Sequence, residues 1–501
     1  MKRITSIAIL ALALVGCSKG YYSPYSPDVT NKEAVYAAAD GALDSVDPGE
    51  QQEGDSFEEI EENPFIKVAD QPVSTFSIDA DGASYAYTRR CLKNNRLPSP
   101  SAIRTEEFLN YFTFDYTEPT GDESVAINAE IGDCPWNASH KLLRLGLNGK
   151  SLSGEVPPAN YIFLIDTSGS MYGEDRIELL KSGLCNMLDY LRPVDRVAII
   201  TYSGSVSMPL ESTLVKDPAA IKKIIRKLEA SGSTAGGAAM KMAYDEASEH
   251  YMKDGNNRII MCTDGDFNVG VSSTEALVKM VESYQAKGIY LSIMGFGTGN
   301  YQDSRMESLS NHGNGTYTYI DCENEMMKVF VHERSHFYSV ANDTKCQLTF
   351  TDAVDSYRLI GYENRVMNNE DFEDDKKDAG EIGAGQTVTA IYELIPAEGY
   401  AADAVTATFD VRYKKALGEE SRPLKLNVSV PKAEYVSSPE FNFAAGITAF
   451  TLVLKDSEYK GSASYEMASE LVAKGSENVS DPLKLRKELA DLIRAAAKVQ
   501  Q

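Results

Sequence analysis

The segment Tyr161-Ile162-Phe163-Leu164-Ile165 is an unbroken apolar run ending on Asp166, and it constrains the fold more than any other stretch of the chain. An apolar run with no polar alternate suits a strand covered on both faces. Behind it, Ile177, Leu180, Leu184, Met187, Leu188 and Leu191 recur at helical spacing, and Pro193 stops the run. Strands are then expected over 196–202, 258–262, 289–296 and 317–320, with helices over 218–230, 235–251, 274–287 and 303–311 between them. This alternation predicts an α/β fold over residues 158–335, a doubly wound and mostly parallel sheet of Rossmann-like type with helices on both faces. Pro157-Pro158 marks where it begins.

The flanks have a different texture. Residues 71–157 read as strands over 73–78, 125–131 and 141–147, with helices over 84–97 and 101–111. Residues 336–501 read as strands over 346–350, 357–362, 387–394, 405–413 and 424–430, then a helical tail from Phe441. Asp481-Pro482 has the residue types of an N-cap and first helical position, opening the last helix. The acidic loop 368–378 reads as a solvated surface. Strands on both sides of the α/β unit imply a β-rich flanking domain into which that unit is inserted.

The N-terminus carries its own signal. Lys2 and Arg3 precede the apolar stretch Ile4–Val15, which is too short to span a bilayer as a finished helix. It ends in Leu14-Val15-Gly16-Cys17, which resembles the lipobox of bacterial lipoproteins. The resemblance implies a signal peptide over 1–17, lipidation of Cys17 and a membrane-anchored mature protein. Ser18 after it fits the outer membrane of a Gram-negative envelope. Residues 18–70 are low in complexity or acidic, and are expected to be a disordered tether.

The 49 Lys+Arg against 74 Asp+Glu give a net charge of −25, which disfavours nucleic acid as a partner. The six cysteines beyond Cys17 contain no CxxC pair, and Cys185 and Cys262 read as buried free thiols.

Three segments carry the chemistry. Asp166-Thr167-Ser168-Gly169-Ser170 follows the first α/β strand, Gly232-Ser233-Thr234-Ala235-Gly236-Gly237 precedes a helix, and Thr263-Asp264-Gly265-Asp266 follows another strand. In a doubly wound sheet such strand ends converge on one crevice. Hydroxyl and carboxylate oxygens suit a hard cation, Mg²⁺ or Mn²⁺. Asp166, Ser168, Ser170, Thr234 and Asp264 are the candidate ligands, and they leave a position for water or a partner's carboxylate.

D-x-S-x-S, the threonine in a glycine-rich loop and T-D-G together resemble the metal-ion-dependent adhesion site of von Willebrand factor type A (vWA) domains. The segments 76–79, 83–85, 134–137, 264–270, 295–301 and 359–365 extend the likeness to a family of bacterial vWA-containing lipoproteins with dedicated flanking regions. That resemblance implies extracytoplasmic binding; together with the open coordination position, it leads to the expectation of a non-enzymatic protein that captures a partner presenting Asp or Glu.

Other signals are weaker. His332-Glu333-Arg334-Ser335-His336 spells the H-E-x-x-H of zinc peptidases, which needs a helix to put both imidazoles on one face. No histidine follows His336, and the segment reads as a packed or solvated junction. Asp79-Ala80-Asp81-Gly82 lacks the rest of a calcium loop and reads as a capped turn. The rival functions are therefore a zinc metallopeptidase and a structural envelope protein whose metal only stabilises the fold.

Overall fold

Strand Ala159–Asp166 forms the middle of a six-stranded sheet. The computed structural model describes residues 57, 61–154, 156–232, 237–265, 274–297, 303–398, 400–432 and 435–500. The strand order is Tyr317–Ile320, Ile289–Phe296, Asn256–Thr263, Ala159–Asp166, Arg196–Tyr202 and Val206–Leu214. The first five run parallel to one another, and the last is antiparallel to its neighbour. Ile162 and Leu164 point into one core, while Tyr161, Phe163 and Ile165 point into another. This is why the run has no polar alternate: each face of the strand is covered by helices.

Val206–Leu214 is the one strand of this sheet that the pattern analysis does not supply. It alternates in exposure along an edge and tolerates Pro209 there, where a proline costs no ladder hydrogen bond on its open side.

The flanks build two antiparallel sheets, each drawing strands from both ends of the chain. One has the order Ile66–Lys67, Val354–Ile360, Thr387–Pro396, Lys141–Gly149, Val125–Asp133. The other has the order Val366–Met367, Val73–Ser77, Ser339–Phe350, Val405–Lys414, Arg422–Ser429, and Gly380–Gly383 also pairs with Ser339–Phe350. Leu143, Leu145 and Val388 of the first sheet share a core with Phe76, Leu348 and Phe409 of the second. The α/β domain is thus inserted in a β-rich domain whose two halves lie on either side of it in sequence.

Helix Ala83–Lys93 joins the parts. Ala86 and Tyr87 pack on the α/β sheet, while Tyr85 and Leu92 pack against the C-terminal helices Pro439–Lys455, Tyr465–Ser476 and Leu485–Gln500. No helix among the described residues is long and apolar enough to cross a membrane.

Four expectations need correction. The folded part begins before Gln71. Ile66–Lys67 pairs with Val354–Ile360, and Asn63 Nδ2 donates to the carbonyls of Leu359 and Gly361 at 3.2 and 2.9 Å. The remainder of the expected tether, save Phe57, lies with Cys17 outside residues 61–70 and outside the described residues. The acidic loop is also tied down. Lys345 and Lys414 are buried and donate to the carbonyls of Asp371 and Asp375 at 3.1 and 2.6 Å, and Phe372 is buried. The helix expected over 101–111 is split into a 3-10 turn, Pro100–Ala102, and Thr105–Asn110, because Ser84 Oγ takes the Arg104 N–H and donates to the Ala102 carbonyl. The last helix starts at Leu485, whose N–H reaches back to Asp481 Oδ1 at 2.8 Å, so Pro482 lies in the approach and not at the first helical position.

Candidate metal centre

Asp166 is the last residue of its strand, and Asp264 follows the last residue of the adjacent strand Asn256–Thr263. Parallel pairing therefore delivers both carboxylates to the same sheet edge. Asp166 Oδ1 accepts the Ser168 N–H at 2.8 Å, which closes the D-x-S turn. Ser168 Oγ and Ser170 Oγ lie 2.9 Å apart, so the two hydroxyls share one locus. Asp166, Ser168 and Asp264 are buried, whereas Ser170 is open to solvent.

A layer of hydrogen bonds holds these groups. Thr263 Oγ1 donates to Asp166 Oδ2 at 3.3 Å and accepts the Gly265 N–H at 3.2 Å, bridging the first and third segments. Gly265 has φ +100°, a left-handed turn that a side chain would strain. Gly169 N–H donates to the Gly232 carbonyl and Ser231 N–H to the Thr167 carbonyl, at 3.0 and 2.7 Å, which zips the first segment to the start of the glycine-rich loop. Thr263 and Thr167 are the positioning residues that the sequence analysis did not assign. Their signal was their place inside the motifs, next to each ligand.

Thr234 lies outside the described residues, so four of the five candidates are brought together here. The donor set is all oxygen, with two carboxylates and two hydroxyls, and no lysine or arginine pairs with Asp166 among the described residues. Burial pushes the Asp166 carboxyl up to about 6; the Ser168 and Thr263 hydrogen bonds oppose the shift, and the Asp264 carboxylate adds to it. A divalent cation would neutralise such a buried pair, and its chemistry matches these donors.

The H-E-x-x-H residues are not arranged as a zinc site. Lys328–His332 is a π turn and Arg334–Phe337 a 3-10 turn, so His332 and His336 do not share one α-helical face. Glu333 is held by Lys328 Nζ at 2.7 Å, and His332 is exposed. In the Asp79–Gly82 turn, Asp79 Oδ1 accepts the Asp81 N–H at 3.0 Å and its other oxygen pairs with Arg365, as a capped turn requires. The cysteines at 91, 134, 185, 262, 322 and 346 are free thiols.

Comparison with known proteins agrees with this architecture. Residues 161–266 match the family described as von Willebrand factor type A domain, and residues 51–144 match one described as von Willebrand factor. Residues 335–499 match the family described as "Uncharacterized protein YfbK, C-terminal". The chain is 36% identical over 474 residues to YfbK of Escherichia coli (strain K12), covering 88% of this chain and 80% of that one. It is 30% identical over 180 residues to inter-alpha-trypsin inhibitor heavy chain H3 of Homo sapiens, covering 34% of this chain and 20% of that protein. The solved structure of von Willebrand factor type A from Catenulispora acidiphila aligns with a TM-score of 0.40 at 16% identity, covering 70% of this chain and 87% of that one. With that degree of identity to the Escherichia coli protein across both the α/β domain and its flanks, the chain belongs to the YfbK family of bacterial proteins, which join a vWA domain to a YfbK C-terminal region.

Proposed function

We propose that the protein is a lipid-anchored lipoprotein of the cell envelope that captures a protein partner through a divalent cation. Asp166, Ser168, Ser170, Thr234 and Asp264 would hold Mg²⁺ or Mn²⁺, and an Asp or Glu of the partner would complete the coordination. The observation that carries this reading is the buried Asp166 carboxylate beside the Ser168–Ser170 hydroxyl pair and Asp264, at the edge where parallel strands end. Mg²⁺ prefers six oxygens, and neutral hydroxyl ligands leave it electrophilic towards an incoming carboxylate. The exposure of Ser170 gives that carboxylate a side from which to enter.

Cys17 would carry the lipid, and the segment after it would hold the folded part away from the outer membrane of a Gram-negative cell. The role is binding, not catalysis. The split turns around His332 and His336, and the capture of Glu333 by Lys328, weigh against a zinc peptidase.

The test is metal-dependent capture. Envelope proteins retained by the wild-type chain in Mg²⁺ are identified, and retention is repeated in EDTA and with Asp264→Ala. Loss of the same partners in both is expected. Equal capture by Asp264→Ala in EDTA would remove the metal from the mechanism.

A further inference from the structure

A second polar recess lies at the opposite pole of the α/β sheet. Arg258 is near the start of strand Asn256–Thr263 and Asp264 follows its end, so the two poles are about 20 Å apart at ~3.3 Å per strand residue. The recess is a small cleft, with Arg258 and Asn314 on its α/β side and Asp81 and Glu381 on its β-domain side. Gly380 lets the last two approach: a Cβ there would sit 2.4 Å from the Ile78 carbonyl oxygen.

Four polar atoms of these residues are buried without a hydrogen-bond partner: Asp81 Oδ2, Glu381 Oε1, Arg258 Nε and Asn314 Nδ2. Asp81, Arg258 and Asn314 are 4%, 2% and 2% exposed. The Arg258 guanidinium is held by Ser292 Oγ and the Phe337 carbonyl, at 2.7 and 3.0 Å, and by the rings of Tyr290 and Phe337. None of these partners is a carboxylate. Asp81 accepts one hydrogen bond, from Tyr317 N–H at 2.9 Å, and burial holds both its carboxyl and that of Glu381 well above the usual carboxylate range. Asp79 and Arg365, which also line the cleft, pair at 3.1 Å, but Asp81, Glu381 and Arg258 have no ion-pair partner among the described residues, which is an expensive arrangement for buried ionisable groups. Water would satisfy the hydrogen bonds but offer the Arg258 guanidinium no counter-charge. A small zwitterion would satisfy both.

We propose that this junction cleft binds a free α-amino acid with a small side chain. Its ammonium is met by Asp81 and Glu381, and its carboxylate by Arg258 and Asn314. The two unpartnered acceptors and two unpartnered donors give the site a polarity, and the ligand spans residues from both domains. This site is independent of the metal centre.

The test uses the full chain with glycine and L-alanine, followed by calorimetry and thermal melting, beside acetate alone and methylammonium alone. One saturable site and a raised melting temperature are expected for the amino acids, with binding at least about tenfold weaker for either half-ligand. Glu381→Gln should lose the binding, and Asp264→Ala should keep it. No response to either amino acid at millimolar concentration would mean that the cleft holds water only and would overturn the proposal. An equal response to acetate or methylammonium alone would overturn it as well, whether or not the Glu381→Gln chain folds.

Discussion

The α/β domain and the β-rich domain around it are built by opposite logics. In the α/β domain parallel strands alternate with helices, save where Arg196–Tyr202 turns back into the antiparallel edge strand Val206–Leu214, and neighbours in the sheet come from one stretch of sequence, 159–320. In the flanking domain, strand Lys141–Gly149 pairs with Thr387–Pro396, and Val73–Ser77 pairs with Ser339–Phe350, across the whole inserted domain. One region is specified locally, and the other exists only when both ends of the chain meet. The candidate metal centre lies where the parallel strands of the local region end, whereas the cleft proposed to take a zwitterion lies where the two regions join.

The largest effect that would break this comparison comes from cutting the chain. A fragment spanning 336–500 lacks four of the strands that complete the two antiparallel sheets, and should show no cooperative thermal transition. Adding a fragment spanning 61–157 should restore one. A cooperative transition by circular dichroism in the C-terminal fragment alone would mean that the flanks fold independently of each other.

A smaller effect tests the seam between helix Thr105–Asn110 and the β domain. Burial pushes the Glu106 carboxyl up to about 7, with Glu363 and then Asp79 adding repulsion and Lys455 opposing it. Between the ordinary glutamate value, about 4.3, and that raised value the folded state holds a proton that the unfolded state releases. Stability from this group therefore falls as pH rises through that window, by at most roughly 4 kcal/mol. Glu106→Gln should raise the melting temperature more at pH 8 than at pH 5. A larger gain at pH 5 would reverse the sign and refute the assignment.

How much of this was legible differs between the two regions for the same reason. The strands Arg196–Tyr202, Ile289–Phe296 and Tyr317–Ile320 fall where apolar runs and flanking breakers put them, because local pattern decides local pairing. The two-residue strands Ile66–Lys67 and Val366–Met367 carry no pattern of their own, and exist because distant partners offer an edge. Likewise, Lys345 and Lys414 capture the backbone of the acidic loop from strands remote in sequence, so composition alone made that loop look solvated. At the candidate metal centre, the clustering of Asp166, Ser168, Ser170 and Asp264 was readable from the motifs, since a turn of fixed geometry demands residues at fixed spacing. The Thr263 bridge between segments was not, because it depends on which strand ends are neighbours.

The smallest expected effect separates binding from peptidase chemistry. His332 is exposed and lies in a π turn, so His332→Ala should change stability by less than about 0.5 kcal/mol. It should also leave metal affinity unchanged. Loss of stoichiometric zinc in that variant would revive the histidine pair as a metal site.

The central claim is the oxygen-ligated cation at Asp166, Ser168, Ser170, Thr234 and Asp264. Its most direct test is calorimetric titration of the purified chain with Mg²⁺, Mn²⁺ and Zn²⁺, beside Asp264→Ala. One site for Mg²⁺ or Mn²⁺ that disappears in the variant is the predicted result; tight binding of Zn²⁺ alone, retained in the variant, would contradict it.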